Sequence, residues 1–154
     1  MLDLQAEIRR RQVCLRGLPD SPTETTRELE QAVDLVVEAL VGRRGHVEEA
    51  WRVGRFAADR PRPVILKFRT LGAKVEILKS KGQLYAANCP GVLRGLRLYH
   101  DLSAAQLSWK MQLKGAFDKF LGDNVRVVWR RGYRLFAFLE GSWEEFVPLT
   151  ALVH

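Results

Sequence analysis

Apolar and polar positions alternate over residues 12–18, and this alternation predicts a short strand with one buried face. Val13 and Leu15 fall on the face that we expect to be buried. Cys14 and Arg16 fall on the opposite face, so the strand presents a cation on that side.

The spacing of apolar residues then changes to three and four positions, which predicts an amphipathic helix that ends at Gly42. We expect this helix to begin with a capping box, in which Ser21 caps the first turn and Glu24 reaches back to it. Its predicted buried stripe consists of Leu29, Val33, Val36, Val37 and Leu40.

Two strands are predicted after this helix. The weaker one spans residues 46–53, where Glu49 interrupts the alternation and a β-bulge would reconcile it. The stronger one spans residues 63–68, and we expect its Ile65 and Lys67 to face away from the core.

A second helix is predicted from a cap at Thr70 to Gly82, followed by a strand over residues 92–99. The side chains of this helix that we expect to be buried are Leu71, Val75 and Leu78. The order β-α-β-β-α-β predicts an α+β sandwich of four antiparallel strands with both helices on one face. This is the topology of the RNA-recognition motif, but the third strand lacks the rings with which that motif stacks bases.

A second, smaller unit of α-β-β-α order is predicted after this sandwich. Ser103 and Gln106 form a capping box ahead of its first helix. Two strands are predicted over residues 125–129 and 133–139, joined by a basic turn. So short a unit would be marginal by itself.

Ser142 and Glu145 repeat the capping-box pattern, so we expect a short terminal helix that Pro148 interrupts. The predicted division of the chain is residues 1–11 as the end of a helix or coiled coil, 12–100 as an RNA-recognition-motif-like domain and 101–154 as a C-terminal nucleic-acid-binding domain.

The charged residues are unevenly distributed along the 154 residues. Lys and Arg number 25 against 18 Asp and Glu, a net charge of +7. The bases gather in residues 9–11, 52–69, 74–81 and 126–134, and clustered arginine is the footprint of a protein that binds phosphate backbones. No apolar stretch approaches the roughly 20 residues of a membrane span.

Catalytic motifs are missing from the sequence: it has no P-loop, no nucleophile elbow, no HExxH and no CxxC. Cys14 and Cys89 are the only cysteines, too few for a four-cysteine zinc site or a disulfide framework. We therefore expect a binding protein rather than an enzyme, with no cofactor and no metal site.

Five short stretches occur in an order that characterises one known family: GLP at residues 17–19, AWRVG at 50–54, RPRPVILKF at 60–68, DLS at 101–103, and VRVVW…YRLFAF within 125–138. Together they resemble the first open-reading-frame protein of LINE-type non-LTR retrotransposons, in its RNA-recognition and C-terminal domains. The resemblance covers roughly residues 12–147.

This resemblance implies a nucleic-acid chaperone that coats single-stranded RNA with little sequence preference, single-stranded DNA being the alternative ligand. It implies a homotrimer held by an N-terminal coiled coil, most of which this sequence lacks. The lack of an apolar membrane span, and not the resemblance, leads us to expect no membrane partner. The resemblance also implies cytoplasmic ribonucleoprotein particles, with the nucleus as a second location. The alternative function is a protein–protein interaction module on the same scaffold, such as a domesticated host protein.

The residues predicted to contact nucleic acid come from two sources. The resemblance implies Arg10, Arg11, Arg52, Arg55, Lys67, Lys79, Lys110 and the aromatic Trp129. The charge pattern adds Arg16, Arg60, Arg62, Arg126, Arg130, Arg131 and Arg134. We expect these cations to line a cleft between the two units and to bind phosphates, so that affinity falls steeply with salt.

The four tryptophans receive different predictions. Trp129 lies beside arginines, a setting that suits base stacking on single strands. Trp51 either stacks a base or packs beside a core strand. Trp109 and Trp143 are predicted on helices and in the core.

Overall fold

The computed structural model describes residues 4–120 and 124–147. They belong to two compact units, one formed by Ile8–Asp101 and the other by residues 4–7 with the chain from Leu102 onward. Both units contain antiparallel sheets and helices, so the α+β class is confirmed. No helix within these described ranges combines the length and the apolar character needed to cross a membrane.

The larger unit follows helix α1 (Leu4–Arg9) and contains four strands and two helices. They are β1 (Gln12–Arg16), α2 (Thr26–Val41), β2 (Val47–Arg52), β3 (Val64–Phe68), α3 (Leu71–Ser80) and β4 (Arg97–His100). The sheet has the order β2-β3-β1-β4, and every neighbouring pair is antiparallel.

The core of this unit lies between one face of the sheet and the two helices. Val13 and Leu15 are fully buried there, as are the alternate residues of β3. All five apolar residues predicted for the stripe of α2 are buried as well. The irregularity expected in β2 is a register shift between Val47 and Glu49.

The start of α2 differs from the prediction, because Thr25 and not Ser21 is the cap. The Thr25 hydroxyl accepts the backbone N–H of Glu28 at 3.1 Å. Ser21 belongs to a preceding turn, in which its carbonyl oxygen accepts the N–H of Glu24. The Glu24 side chain does not accept the backbone N–H of Ser21, as a capping box would require, because its carboxylate accepts two hydrogen bonds from the guanidinium of Arg52.

Helix α3 buries a face that differs in part from the predicted one: of the predicted residues, only Leu78 packs against the core, where it is partly buried. Its cap at Thr70 is confirmed, but Leu71 and Val75 are exposed. The buried residues of α3 are Ala73, Lys74 and Ile77. A lysine is tolerated there because the Lys74 ammonium donates to the carbonyl oxygen of Arg10 at 2.9 Å.

Gly17 ends β1 in a conformation that favours glycine, with φ of +93°. A Cβ at this position would lie 2.3 Å from the carbonyl oxygen of Gly95, just ahead of β4. The residues that precede this strand form a turn of 3-10 helix (Gly91–Leu93), so β4 is shorter than predicted. Because Gly17 has no Cβ, the backbone that follows β1 and the backbone that precedes β4 can approach each other closely.

The smaller unit packs helix α4 (Ala104–Phe120) against a three-stranded sheet. Its strands are β5 (Val127–Arg130), β6 (Arg134–Leu139) and β7 (Ser142–Glu145), in the order β5-β6-β7. Leu113 and Phe117 meet Leu135 and Ala137 in its core. The predicted capping box is confirmed: the Gln106 N–H donates to the Ser103 hydroxyl at 3.2 Å, and the Ser103 N–H donates to the Gln106 side chain.

The terminal helix predicted from Ser142 is wrong, because this segment is strand β7. Glu140 and Gly141 have φ of +50° and +88° and form a tight two-residue turn, which joins antiparallel strands. Leu139 then pairs with Ser142. The described part of this unit is thus α-β-β-β rather than α-β-β-α, and Pro148 lies outside the described residues.

Candidate nucleic-acid interface

The face of the four-stranded sheet that points away from α2 and α3 carries two rings. Trp51 of β2 stands opposite Ile65, which stands opposite Cys14, which stands opposite Tyr99 of β4. These residues alternate with the core-facing ones, so they share the outer face, although Ile65 at its centre is only 8% exposed. Tyr99 is 49% exposed. Tyr99 is not among the residues predicted from the sequence, although its alternation with Leu98 indicates an outward ring.

Two arginines lie side by side on the same outer face. Arg16 of β1 is paired in register with Arg97 of β4, and neither forms an ion pair with any described carboxylate. The Arg97 guanidinium lies 4.4 Å from the centre of the Tyr85 ring, an exposed side chain. Lys67 also faces outward, with its ammonium 3.9 Å from Glu48. Neighbouring cations without carboxylate partners can attract a phosphate.

Arg52 does not take part in this surface, contrary to the expectation. Its side chain is only 4% exposed and stands opposite the fully buried Val64, on the core side of the sheet. Its donors bind the carbonyl oxygens of Leu18, Pro19 and Arg62 and the carboxylate of Glu24. With all three nitrogens bound inside the protein, Arg52 is a structural residue and not a phosphate contact.

Arg62 is likewise occupied by an internal partner. Its Nε and Nη2 donate to the Asp20 carboxylate at 2.8 and 3.1 Å, and its backbone N–H donates to the same group. The hydrogen bond from the Arg62 side chain holds the pKa of Asp20 well below its ordinary range. Arg62 therefore fastens the loop after β2 to the turn after β1, which corrects its prediction as a phosphate contact.

The other predicted cations of this unit do not form a single cluster of contacts. Arg11 donates to the carbonyl oxygens of Phe68 and Arg69, which anchors the chain just before β1. Of these predicted residues, four are exposed and have no carboxylate partner in the described part of the chain: Arg10, Arg55, Arg60 and Lys79. Lys79 lies on α3, so it belongs to the helical side of the sandwich.

Trp129 faces the covered side of the smaller unit. It stands opposite the buried Leu135 and packs against the core that includes Leu113 and Phe117. The ammonium of Lys110 lies 5.4 Å from the centre of its ring, so the structure does bring these two predicted residues together. Their contact is a cation–π pair between helix and sheet, and base stacking on the partly buried Trp129 stays a prediction.

The arginines of the hairpin gather on the opposite, outer face. Arg130 and Arg134 are paired in register, and Arg126, just before β5, places its guanidinium over the outward rings of Phe138 and Trp143. Arg134 binds Glu145 through two hydrogen bonds of 2.8 and 2.9 Å, which lower the pKa of that carboxyl. Arg126 and Arg130 form no ion pair among the described residues.

Arg131 occupies the turn between β5 and β6 with a φ of +56°, and its side chain is exposed. No group of three or more His, Cys, Asp or Glu side chains in the described ranges is arranged to hold a metal ion.

Comparison with known proteins found no protein-family model that matches the chain and no curated protein with a significant sequence match.

Proposed function

We propose that this chain binds single-stranded RNA and acts as a nucleic-acid chaperone of the LINE-type retrotransposon kind. The observation that carries the proposal is the outer face of the four-stranded sheet. It presents the adjacent Arg16 and Arg97 together with the rings of Trp51 and Tyr99, while both helices pack on the other face.

The distribution of charge between the units supports this proposal. Residues 8–101 contain 18 Lys and Arg against 11 Asp and Glu, and since 18 minus 11 is 7, the whole net charge of +7 lies in this unit. A polyanion is drawn to such a unit, and counterions released from its backbone favour binding at low salt.

The arrangement of the sheet supports a finer inference about the fold. The order β2-β3-β1-β4, with helices between the first and second and between the third and fourth strands, is compatible with an RNA-recognition motif. Members of that class bind single-stranded RNA on the uncovered sheet face. The cleft between the two units expected from the sequence stays a prediction.

A salt titration of RNA affinity tests the proposal. Fluorescence anisotropy with a labelled unstructured RNA would be measured between 50 and 200 mM salt for the full chain and for Arg16→Ala/Arg97→Ala. For single strands each phosphate contact adds about 0.7 to the slope of log affinity against log salt, so the double variant should lose about 1.4. The matched control is Arg43→Ala/Arg44→Ala, which removes the same charge from residues bound to glutamates.

The two double variants separate specific contacts from net charge. Equal losses of slope would contradict a role for the outer face, because both variants lower the net charge by two. A wild-type chain that binds no RNA at any salt concentration would refute the function and leave the protein-interaction module as the better hypothesis.

A further inference from the structure

The outer face of the three-stranded sheet combines aromatic rings with arginines. The register places Phe136 and Phe138 of β6 on one side of the sheet, with Trp143 of β7 opposite Phe138. The arginines of the hairpin share this side, because Arg130 stands opposite Arg134 and Val128 stands opposite Phe136. Helix α4 packs on the other side of the sheet.

The rings and the guanidinium groups are in contact. The Phe138 and Trp143 rings lie 5.3 Å apart between centres, and the guanidinium of Arg126 lies 5.6 and 5.8 Å from those centres. The guanidinium groups of Arg130 and Arg134 lie 5.5 and 5.3 Å from the ring of Phe136. Every ring of this face is therefore bordered by a cation.

Core packing does not account for these rings. Trp143 is 42% exposed and Phe138 is 36% exposed, and the buried core of this unit lies on the side of Leu135 and Ala137. Large exposed rings in a row indicate a binding surface rather than a stabilising one.

We propose that this aromatic–arginine face, defined by Phe136, Phe138, Trp143, Arg126 and Arg130, stacks the bases of single-stranded nucleic acid. The proposal rests on the proposed function and names the part of the ligand that this face recognises. Rings stack on any base, and adjacent arginines hold the phosphates that link those bases.

The charge of the face favours a nucleic acid over a peptide. Three arginines are opposed by one acid, Glu145, which is already bound to Arg134. Alternate residues of a strand lie about 7 Å apart, so Phe136 and Phe138 offer two separate ring positions along the sheet. A paired base inside a duplex cannot reach such a ring, and the face therefore selects single strands.

The consequence of losing a ring differs from that of losing a cation. A stacked base contributes roughly 5- to 150-fold to affinity, independently of counterions. Trp143→Ala should therefore weaken binding to unstructured RNA within this range, and it should leave the salt slope and the affinity for duplex DNA unchanged. Trp143→Phe should restore most of the affinity.

The matched control is Val127→Ala. Val127 is 41% exposed on the same sheet but stands opposite the buried Ala137, on the other face. This variant should bind RNA like the wild type. Circular dichroism and thermal unfolding of all three variants establish that the unit remains folded.

A cross-linking experiment on the unaltered chain keeps the proposal testable if Trp143→Ala fails to fold. RNA that contains 5-bromouracil is irradiated with the protein, and the tryptic peptides are mapped by mass spectrometry. Cleavage after the arginines separates Trp129, in peptide 127–130, from Trp143, in peptide 135–154. We expect cross-links in the second peptide and not in the first.

The outcomes distinguish this inference from the function on which it rests. If the wild type binds no RNA, the proposed function fails. If RNA binds but the folded Trp143→Ala variant keeps full affinity, or if cross-links map only outside 135–154, stacking on this face is refuted. A loss that is equal for RNA and duplex DNA also refutes it, because stacking requires unpaired bases.

Discussion

Replacing Arg52 by alanine should destabilise the larger unit rather than weaken RNA binding. The side chain is 4% exposed and makes five hydrogen bonds, three to backbone carbonyl oxygens and two to Glu24. Alanine removes all of them and leaves the carboxylate of Glu24, itself largely buried, without the cation that neutralises it.

The expected cost follows from the loss of a buried pair. Removing one partner of such a pair costs about 3–5 kcal/mol, because the other charge stays buried without compensation. Asp20 retains Arg62, so the main uncompensated group is Glu24. Arg52→Met combined with Glu24→Leu removes both charges, and it should recover most of the lost stability.

Urea unfolding followed by circular dichroism measures these changes, with the transition of the larger unit fitted separately if the two units unfold apart. Arg55→Ala is the matched control, since Arg55 is exposed and has no carboxylate partner in the described part of the chain. It should change stability by less than about 0.5 kcal/mol. An Arg52→Ala variant of normal stability but with a salt slope reduced by about 0.7 would refute the structural role and restore Arg52 as a phosphate contact.

Three further predictions concern the local structure. Thr25→Ala should cost about 1 kcal/mol in urea unfolding, and Ser21→Ala should cost less, because only Thr25 caps α2; equal losses would contradict this assignment. Gly17→Ala should be more destabilising than Gly42→Ala, since both have positive φ but only the first meets a backbone carbonyl; equal thermal stabilities would exclude the clash. Burial lowers the pKa of Lys74 to about 8 from the ordinary 10.5, so the unfolded chain binds more protons between these values and stability should rise with pH across this window. Lys74→Met should abolish that rise, and an unchanged pH profile would contradict it.

The buried faces of α2, β1 and β3 could be predicted because they depend on local periodicity. The apolar spacing in α2 identified its buried stripe, and the alternation in β1 and β3 identified their core-facing residues. The capping box at Ser103 was equally local, since both partners lie within four residues. Such patterns need no information from distant parts of the chain.

The start of α2 and the segment from Ser142 were predicted wrongly because their structure depends on contacts with residues elsewhere in the chain. Two capping patterns overlap before α2, and the choice between them depends on Arg52, which binds Glu24 from 28 residues away. The pattern from Ser142 to Glu145 fits either a capping box or a strand. It becomes a strand because a tight turn aligns it with β6 and because Arg134 binds Glu145 across that pair.

The direction of each arginine was the least predictable feature of the site. Residue type and clustering indicate affinity for a polyanion, but they do not distinguish an exposed guanidinium from one that binds an internal carboxylate. Arg52 could have been assigned to the core side, because it alternates in phase with the buried Ala50. The outward ring of Trp143 could not have been assigned while its segment was predicted as a helix.

If the two outer faces bind RNA as proposed, they provide physically separate contributions to affinity. The slope of affinity against salt counts the phosphates neutralised and does not depend on whether a base is paired. Stacking depends on an exposed base and releases no counterions. Arg16 and Arg97 are proposed to neutralise phosphates, and Trp143 is proposed to stack a base. The Arg16→Ala/Arg97→Ala variant must then change the salt slope alone, and Trp143→Ala must change the preference for single strands alone. A chaperone needs both phosphate contacts and base stacking. Phosphate contacts bind any strand, whereas stacking on unpaired bases favours strands that have separated.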